Sequence, residues 1–329
     1  MAEWLHETGI GEERAILVEG GTIIAARVEW NEGLRLGLVA KARLVAKRAS
    51  ADRGTVRFPS GEEALVDGLP RDAHEGVEIM VRVTRSAIAE HGRHKLAKAR
   101  AASGEIARPA PTLLESLRGG DLPVRTVRAD DGALDAHGWQ ELMEQAQSGL
   151  VPFAGGSLVV SPTPAMTLID VDGVLPPRSL ALAAVPAIVT ALSRLDIAGS
   201  VGIDFPSLGE RRDRQAVDAA LATALASWRG ERTAMNGFGF VQLVSRLERP
   251  SLVARLQRQP VAAAARMLLR QAERVPPGGA LLLVARPEVR AAIRSEWLAE
   301  LARRSGRPVS WREDPTLALS GGFAQAIGA

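Results

Sequence analysis

With 329 residues, the chain is long enough for two or three small domains or one elaborated one, and its 46% hydrophobic fraction excludes global disorder. The 41 Lys and Arg against 38 Asp and Glu leave a net charge of only +3, which permits nucleic-acid binding without requiring it. There is no cysteine, so disulfides, Cys nucleophiles and Cys-ligated zinc or iron–sulfur sites are all excluded.

The first residues carry acids at Glu3 and Glu7, where a signal peptide needs a basic start and an apolar core. The most apolar stretch, Leu180 to Leu192, is shorter than the ~20 residues that span a bilayer. A soluble, cytoplasmic protein with no membrane partner is the expectation.

Ala15 to Val18 and Thr22 to Val28, separated by Gly20-Gly21, predict a β-hairpin in an N-terminal region of residues 1–33. Five short strand-like runs follow within 34–100: Leu36 to Val45, Thr55 to Phe58, Glu63 to Val66, Val77 to Thr84, and one near Lys95 to Ala99. Such runs, broken by Gly and Pro, suggest a small OB-like β-barrel. Its surface is basic, with Arg57 among the candidates to hold RNA; a solvated face with interspersed acids is the alternative. Residues 101–150 read as a linker, a strand Leu122 to Val127 and a helix around Asp135 to Ala146.

From 151 to 250 the pattern is α/β. A strand pair, Ser157 to Val160 and Met166 to Ile169, leads to a helix Leu180 to Leu195 and a buried strand Ser200 to Phe205. A helix Leu208 to Trp228 and strands at Arg232 to Met235 and Val241 to Leu247 complete this part. Residues 251–329 repeat the theme in a smaller α/β region: helix Ala262 to Val275, strand Ala280 to Ala285, helix Pro287 to Arg304, and strands near Val309 and Leu317. The fold class expected is therefore a multidomain α+β or α/β protein.

Two aspartates end apolar strands. Asp170 and Asp172, two apart, share one face of an extended strand, and Asp204 closes the strand before a helix. Strand ends of open α/β sheets carry functional groups. If these strands are neighbours, the carboxylates converge and call for a cation. Without cysteine, and with His6, His74, His91, His94 and His137 all outside this half, hard oxygen ligands point to Mg²⁺ or Mn²⁺. Each aspartate alone is more often an ordinary structural strand-end or turn residue. Imidazole and thiolate catalysis are closed to this half, whereas metal-assisted phosphodiester hydrolysis is open, with arginines to hold phosphates. Arg211, Arg212 and Arg214 follow Asp204, and Arg246 and Arg249 follow the later strand.

The run Gly155-Gly156-Ser157-Leu158-Val159-Val160, then Ala165-Met166-Thr167-Leu168-Ile169-Asp170-Val171-Asp172, resembles the RNase E/G endoribonucleases, which carry a Gly-Gly strand followed by E-A-[LM]-T-x-I-D-[IV]-N. Ile203-Asp204-Phe205 is similar to the second I-D-F motif of that family, and Phe240 to Arg246 to its G-L-[LV]-E-M-[ST]-R segment. Val124-Arg125-Thr126 resembles the V-R-T segment that recognises an RNA 5′-monophosphate; an ordinary strand with Arg125 on its wet face is the other reading. Asp172 stands where the family has asparagine, and Pro164 and Leu243 stand where it has glutamate. Arg57 and Leu65 replace barrel aromatics, and the total of 4% aromatic residues with no tyrosine is low for a module that binds by stacking alone.

The departures from the family, above all the lack of cysteine, imply a compact form with a reduced sensor region and without the zinc link that joins the family's subunits; a homo-oligomer would need other contacts. The resemblance implies an endoribonuclease that hydrolyses single-stranded RNA to 5′-phosphate and 3′-hydroxyl ends. Asp170 and Asp204, with Asp172, would hold Mg²⁺ or Mn²⁺. The arginines Arg57, Arg211, Arg212, Arg214, Arg246 and Arg249 would contact RNA, and Arg125 and Thr126 its 5′ end. A non-catalytic RNA-binding protein on the same scaffold is the alternative.

Overall fold

The computed structural model describes residues 1–48, 52–90 and 92–328, so His91 lies outside the described residues. Three strands open the chain: β1 (Glu3–Thr8), β2 (Glu12–Glu19) and β3 (Thr22–Trp30). Gly20 and Gly21 take φ of +56° and +83°, the pair of positive angles that a tight two-residue hairpin needs, so the expected β2–β3 hairpin forms. It is part of a larger sheet, because β1 pairs with β2 on its other side.

The next strands are β4 (Val39–Lys47), β5 (Arg53–Arg57), β6 (Glu63–Asp67), β7 (Glu78–Arg85), a small hairpin β8 (Ile88–Glu90) and β9 (Arg93–Lys95), and β10 (Ala97–Ala101). They close a five-stranded barrel in the order β10-β6-β5-β4-β7, with β6 and β10 parallel and the other pairs antiparallel. Alternate residues face inward, among them Leu44, Val56, Val66, Val81 and Val83, with Ala42, Ala64, Ala97 and Ala99 fitting the narrow interior. The β8–β9 hairpin, too short to read from sequence, leans on the rest of the chain: Ser86 N donates to Glu248 O at 3.0 Å and Lys95 Nζ to Pro164 O at 3.4 Å.

After the barrel, Thr112 and Glu115 form a capping box that starts a short helix, α1 (Leu113–Arg118), inside the expected linker. Strand β11 (Val124–Val127) pairs parallel to β1, and α2 (Trp139–Ser148) ends at the left-handed Gly149. Strands β12 (Leu150–Phe153), β13 (Gly156–Pro162) and β14 (Thr167–Gly173) form an antiparallel meander. Helix α3 (Pro177–Arg194) crosses over to β15 (Ser200–Asp204), which therefore pairs parallel to β14. Helix α4 (Arg211–Ala224), β16 (Gly230–Arg232) and β17 (Phe240–Ser245) complete a six-stranded sheet in the order β12-β13-β14-β15-β17-β16.

The C-terminal part holds α5 (Leu252–Arg258), α6 (Pro260–Glu273), β18 (Ala280–Ala285), α7 (Pro287–Ala292), α8 (Ser295–Ser305), β19 (Val309–Glu313) and β20 (Phe323–Ile327). The single helix expected over Pro287 to Arg304 is two, because Ile293 and Arg294 are extended, with ψ of 120° and 154°. That break lets Ile293 and Trp297 enter one core.

Helix α3 touches both β3 and β12–β14, and one continuous core joins Leu5, Ile16, Ile23 and Val28 to Ile169, Ile188, Ile203 and Val241. The chain is thus a mixed α/β protein containing a closed five-stranded barrel and several sheets. Among the described residues, no helix is long and apolar enough to cross a membrane.

A buried layer of charge fastens the first sheet to α6. Arg14, only 1% exposed, pairs with Glu7 at 2.7 Å and Glu12 at 3.0 Å, while Arg270 pairs with Glu7 at 3.3 Å and Asp135 at 2.6 Å. Arg266 lies between the rings of Trp30 and Trp297 at 4.1 and 4.6 Å. Removing one member strands a carboxylate where water cannot reach it. Arg14→Leu is expected to cost about 3–5 kcal/mol in urea unfolding; a loss below about 1 kcal/mol would show that Arg270 alone satisfies Glu7.

Candidate active site

Along β14, Ile169 and Val171 are buried and Leu168, Asp170 and Asp172 are exposed, so the aspartates stand on the face turned away from the helices. β15 repeats this pattern, with Val201 and Ile203 buried and Asp204 exposed. The parallel register sets Ile169 beside Ile203 and Asp170 beside Asp204. Adjacent strands are ~4.8 Å apart, so the two carboxylates stand abreast. The arginines nearby are paired elsewhere: Arg178 with Asp213, Arg212 with Glu210 and Arg232 with Asp218. Neither Asp170 nor Asp204 enters an ion pair among the described residues.

On the other flank, Phe240 of β17 pairs with Asp204. Gly202 makes room for its ring, since a Cβ there would fall 2.5 Å from Phe240 Cζ and 3.0 Å from Leu168 Cδ2. The loop between β16 and β17 is fixed by side chains. Asp218 of α4 accepts from Arg232 at 2.8 and 3.1 Å and from Met235 N at 2.9 Å, and Asn236 Oδ1 accepts from Phe238 N and Phe240 N. The strand-end edge is thus lined by the starts of α3 and α4 and by this loop.

The other candidates separate into those near the pair and those away from it. Asp172 shares the face but lies beyond the end of β15, opposite Ser157, and its carboxylate accepts from Gly173 N at 2.8 Å. No group of three or more His, Asp or Glu able to hold a metal occurs among the described residues, so Asp172 is not gathered with the pair. Arg211 is exposed at the first position of α4 and Arg212 pairs with Glu210 at 2.6 Å. Arg214 is turned back on the backbone of its own loop, donating to Leu208 O and Gly209 O. Arg246 and Arg249 are not brought to the carboxylates: β17 runs antiparallel to β15, so they follow its far end, near Gly199 and Ser200. Arg249 is also committed, bonding Asp196 at 2.9 Å.

On the barrel, Arg57 pairs with Glu63 at 2.7 Å. A groove of about 380 Å³ crosses the outer barrel wall, lined by Arg48, Arg53, Thr55, Leu65 and Lys98 among others. Arg125 pairs with Glu3 at 3.3 Å on the exposed edge of β11, while Thr126 lines a separate cavity of about 380 Å³ with Arg128, Arg303 and Arg304. Sequence reasoning does not single out Arg178 or Phe238 at the strand-end edge. Their signals are weak ones: a basic residue just after Pro176-Pro177, and an aromatic between Gly237 and Gly239.

No protein-family model matches the chain, and no curated protein matches it.

Asp218 gives this edge a measurable dependence. Its hydrogen bonds from Arg232, opposed by partial burial and aided by Met235 N, hold the carboxyl below its usual range. Because the native value lies below that of the unfolded chain, about 3.9, the stabilisation is full above that pH and disappears as pH falls through the native value. Asp218→Ala should cost about 1–3 kcal/mol at pH 7 in chemical unfolding, and the gap to wild type should close in acid. A gap that is absent at pH 7, or that widens as pH falls, would show that Asp218 does not hold the loop.

Proposed function

We propose that this chain is a compact relative of the RNase E/G endoribonucleases that hydrolyses single-stranded RNA, with Asp170 and Asp204 as its divalent-metal ligands. The observation that carries the reading is the direct register of these two exposed aspartates on parallel neighbouring strands, with no cation paired to either among the described residues. Two carboxylates abreast suit Mg²⁺ or Mn²⁺, which keep several water ligands and use one or two carboxylates plus a substrate phosphate. When bound, such an ion would supply positive charge at the scissile phosphate and would lower the pKa of water so that hydroxide is available as the nucleophile.

The chain's own residues do the rest. Asp170 and Asp204 fix where the reacting phosphate sits. Arg211, exposed at the start of α4, would contact a flanking phosphate, and Arg178 at the start of α3 could do so by exchanging Asp213 for it. Attack by water with the 3′ oxygen leaving gives a 5′-phosphate and a 3′-hydroxyl. We read the barrel as an OB-type RNA holder, forming a unit apart from the α/β region. Its strand order supports this, as does the groove bearing Arg48, Arg53 and Lys98. The β8–β9 hairpin, inserted between β7 and β10 of the barrel, meets the start of β14, three residues of strand or about 10 Å from Asp170. A cytoplasmic setting is part of the proposal.

The second reading is an RNA-binding protein that keeps this scaffold and does not cut. A 5′-labelled single-stranded RNA with Mg²⁺ separates the two. The wild type is expected to cut it and stop with EDTA, and Asp170→Asn or Asp204→Asn to lose at least about a hundredfold in rate with the fold intact. Unchanged Mg²⁺-dependent cleavage in both variants would overturn the site; tight binding without cleavage by the wild type would establish the second reading.

A further inference from the structure

The chain has six Phe, six Trp and no Tyr, and all but one of these rings are buried or half-buried. The exception is Phe238, 87% exposed, and it stands at the edge that carries the carboxylate pair. Phe240, two residues on, is the register partner of Asp204, and Gly239 O accepts from Phe205 N at 3.3 Å.

The ring is presented by a stiff turn rather than a loose one. Asn236 accepts from the backbone of Phe238 at 2.9 Å and of Phe240 at 3.0 Å, its own N donates to Phe240 O, and Gly239 N donates to Asn236 O. Below the turn, Asp218 clamps Arg232 and Met235 N. On the far side of the pair, Val174 is 93% exposed in the loop after β14, its N donating to Gly155 O at 3.2 Å. An uncharged ring cannot hold a phosphate. What it offers is a flat apolar face fixed in advance, and every nucleobase has a complementary one.

We propose that Phe238 is the platform on which a nucleobase next to the scissile phosphate stacks, which makes an unpaired base the requirement for productive binding. The inference rests on the nuclease reading for the location of that phosphate. It adds to that reading the side chain that selects the single strand: the ring takes a base free to leave its helix, with little preference among the four. A base already stacked and paired in a duplex has no face to give the ring.

The test uses the full-length chain with Phe238→Ala and Phe238→Trp, both at a side chain so exposed that folding should be unaffected, checked by thermal unfolding. The probe is a mixed-sequence single-stranded RNA and its duplex, bound in EDTA and cleaved in Mg²⁺. Stacking contributes equally to bound substrate and transition state, so Phe238→Ala is expected to weaken single-strand binding and raise KM by about tenfold while kcat holds. Phe238→Trp should restore both, and its new indole emission should be quenched by the single strand and not by the duplex. Wild-type affinity and KM in Phe238→Ala would overturn the inference while leaving the nuclease reading in place. So would a change in oligomeric state without a change in RNA binding, which would make the ring a contact between copies. If the wild type binds without cutting, and that binding depends on Phe238, the platform stands and the nuclease reading falls.

Discussion

The parallel pairing of β14 with β15 is the constraint from which the rest of the site follows. A parallel neighbour cannot be reached by a tight turn, so the chain leaves the sheet after Gly173, runs back through α3 and re-enters at Ser200. That crossover packs α3 on one face of the sheet, where α4 joins it after β15, and leaves the opposite face, bearing Leu168, Asp170 and Asp204, exposed. A shift by one residue would turn Asp204 into the core and Ile203 out to water. The burial of Ile169, Val171, Val201 and Ile203 therefore holds two like-charged carboxylates side by side. Hydrophobic burial holds the charges together, and the cation proposed here would relieve the repulsion.

The rest of the structure supports that edge from two directions. α3 is pressed between the N-terminal sheet and the six-stranded sheet, so the crossover is packed on both sides. The N-terminal sheet is in turn tied to α6 by the buried ion pairs of Arg14, Arg270 and Glu7. Such a layer adds little net stability compared with apolar packing, but it tolerates few other arrangements, because each misplaced partner leaves a buried charge. Above the sheet, α4 supplies Asp218 to pin the loop that bears Phe238. Rigid elements thus carry both the acids and the exposed ring.

What the sequence made legible is what local pattern controls. The Gly20-Gly21 turn, the five barrel strands and the apolar runs ending in Asp170 and Asp204 are visible because spacing and turn chemistry encode them. Strand β1 is hidden because Glu7, buried by its ion pair with Arg14, and His6, buried by its hydrogen bond with Glu13, look like surface residues. Helix α1 is announced only by its capping box, and the break at Ile293 by nothing local. Arg249 looked like a phosphate ligand because it follows a strand near the motif, yet antiparallel pairing carries it to the far end, where Asp196 claims it. Asp172 failed to join the pair for a related reason: β15 stops opposite Asp170. Phe238 could not be read at all, since exposure is a property of the folded edge.

The central claim is that Asp170 and Asp204 together bind a divalent cation, and it is tested most directly by anomalous diffraction from crystals soaked in Mn²⁺. The account predicts one strong anomalous peak within ligand distance of a carboxylate oxygen from each aspartate, absent in the Asp170→Asn, Asp204→Asn double variant. A soaked wild-type crystal whose only peaks lie elsewhere, or a peak that survives in the double variant, would contradict it.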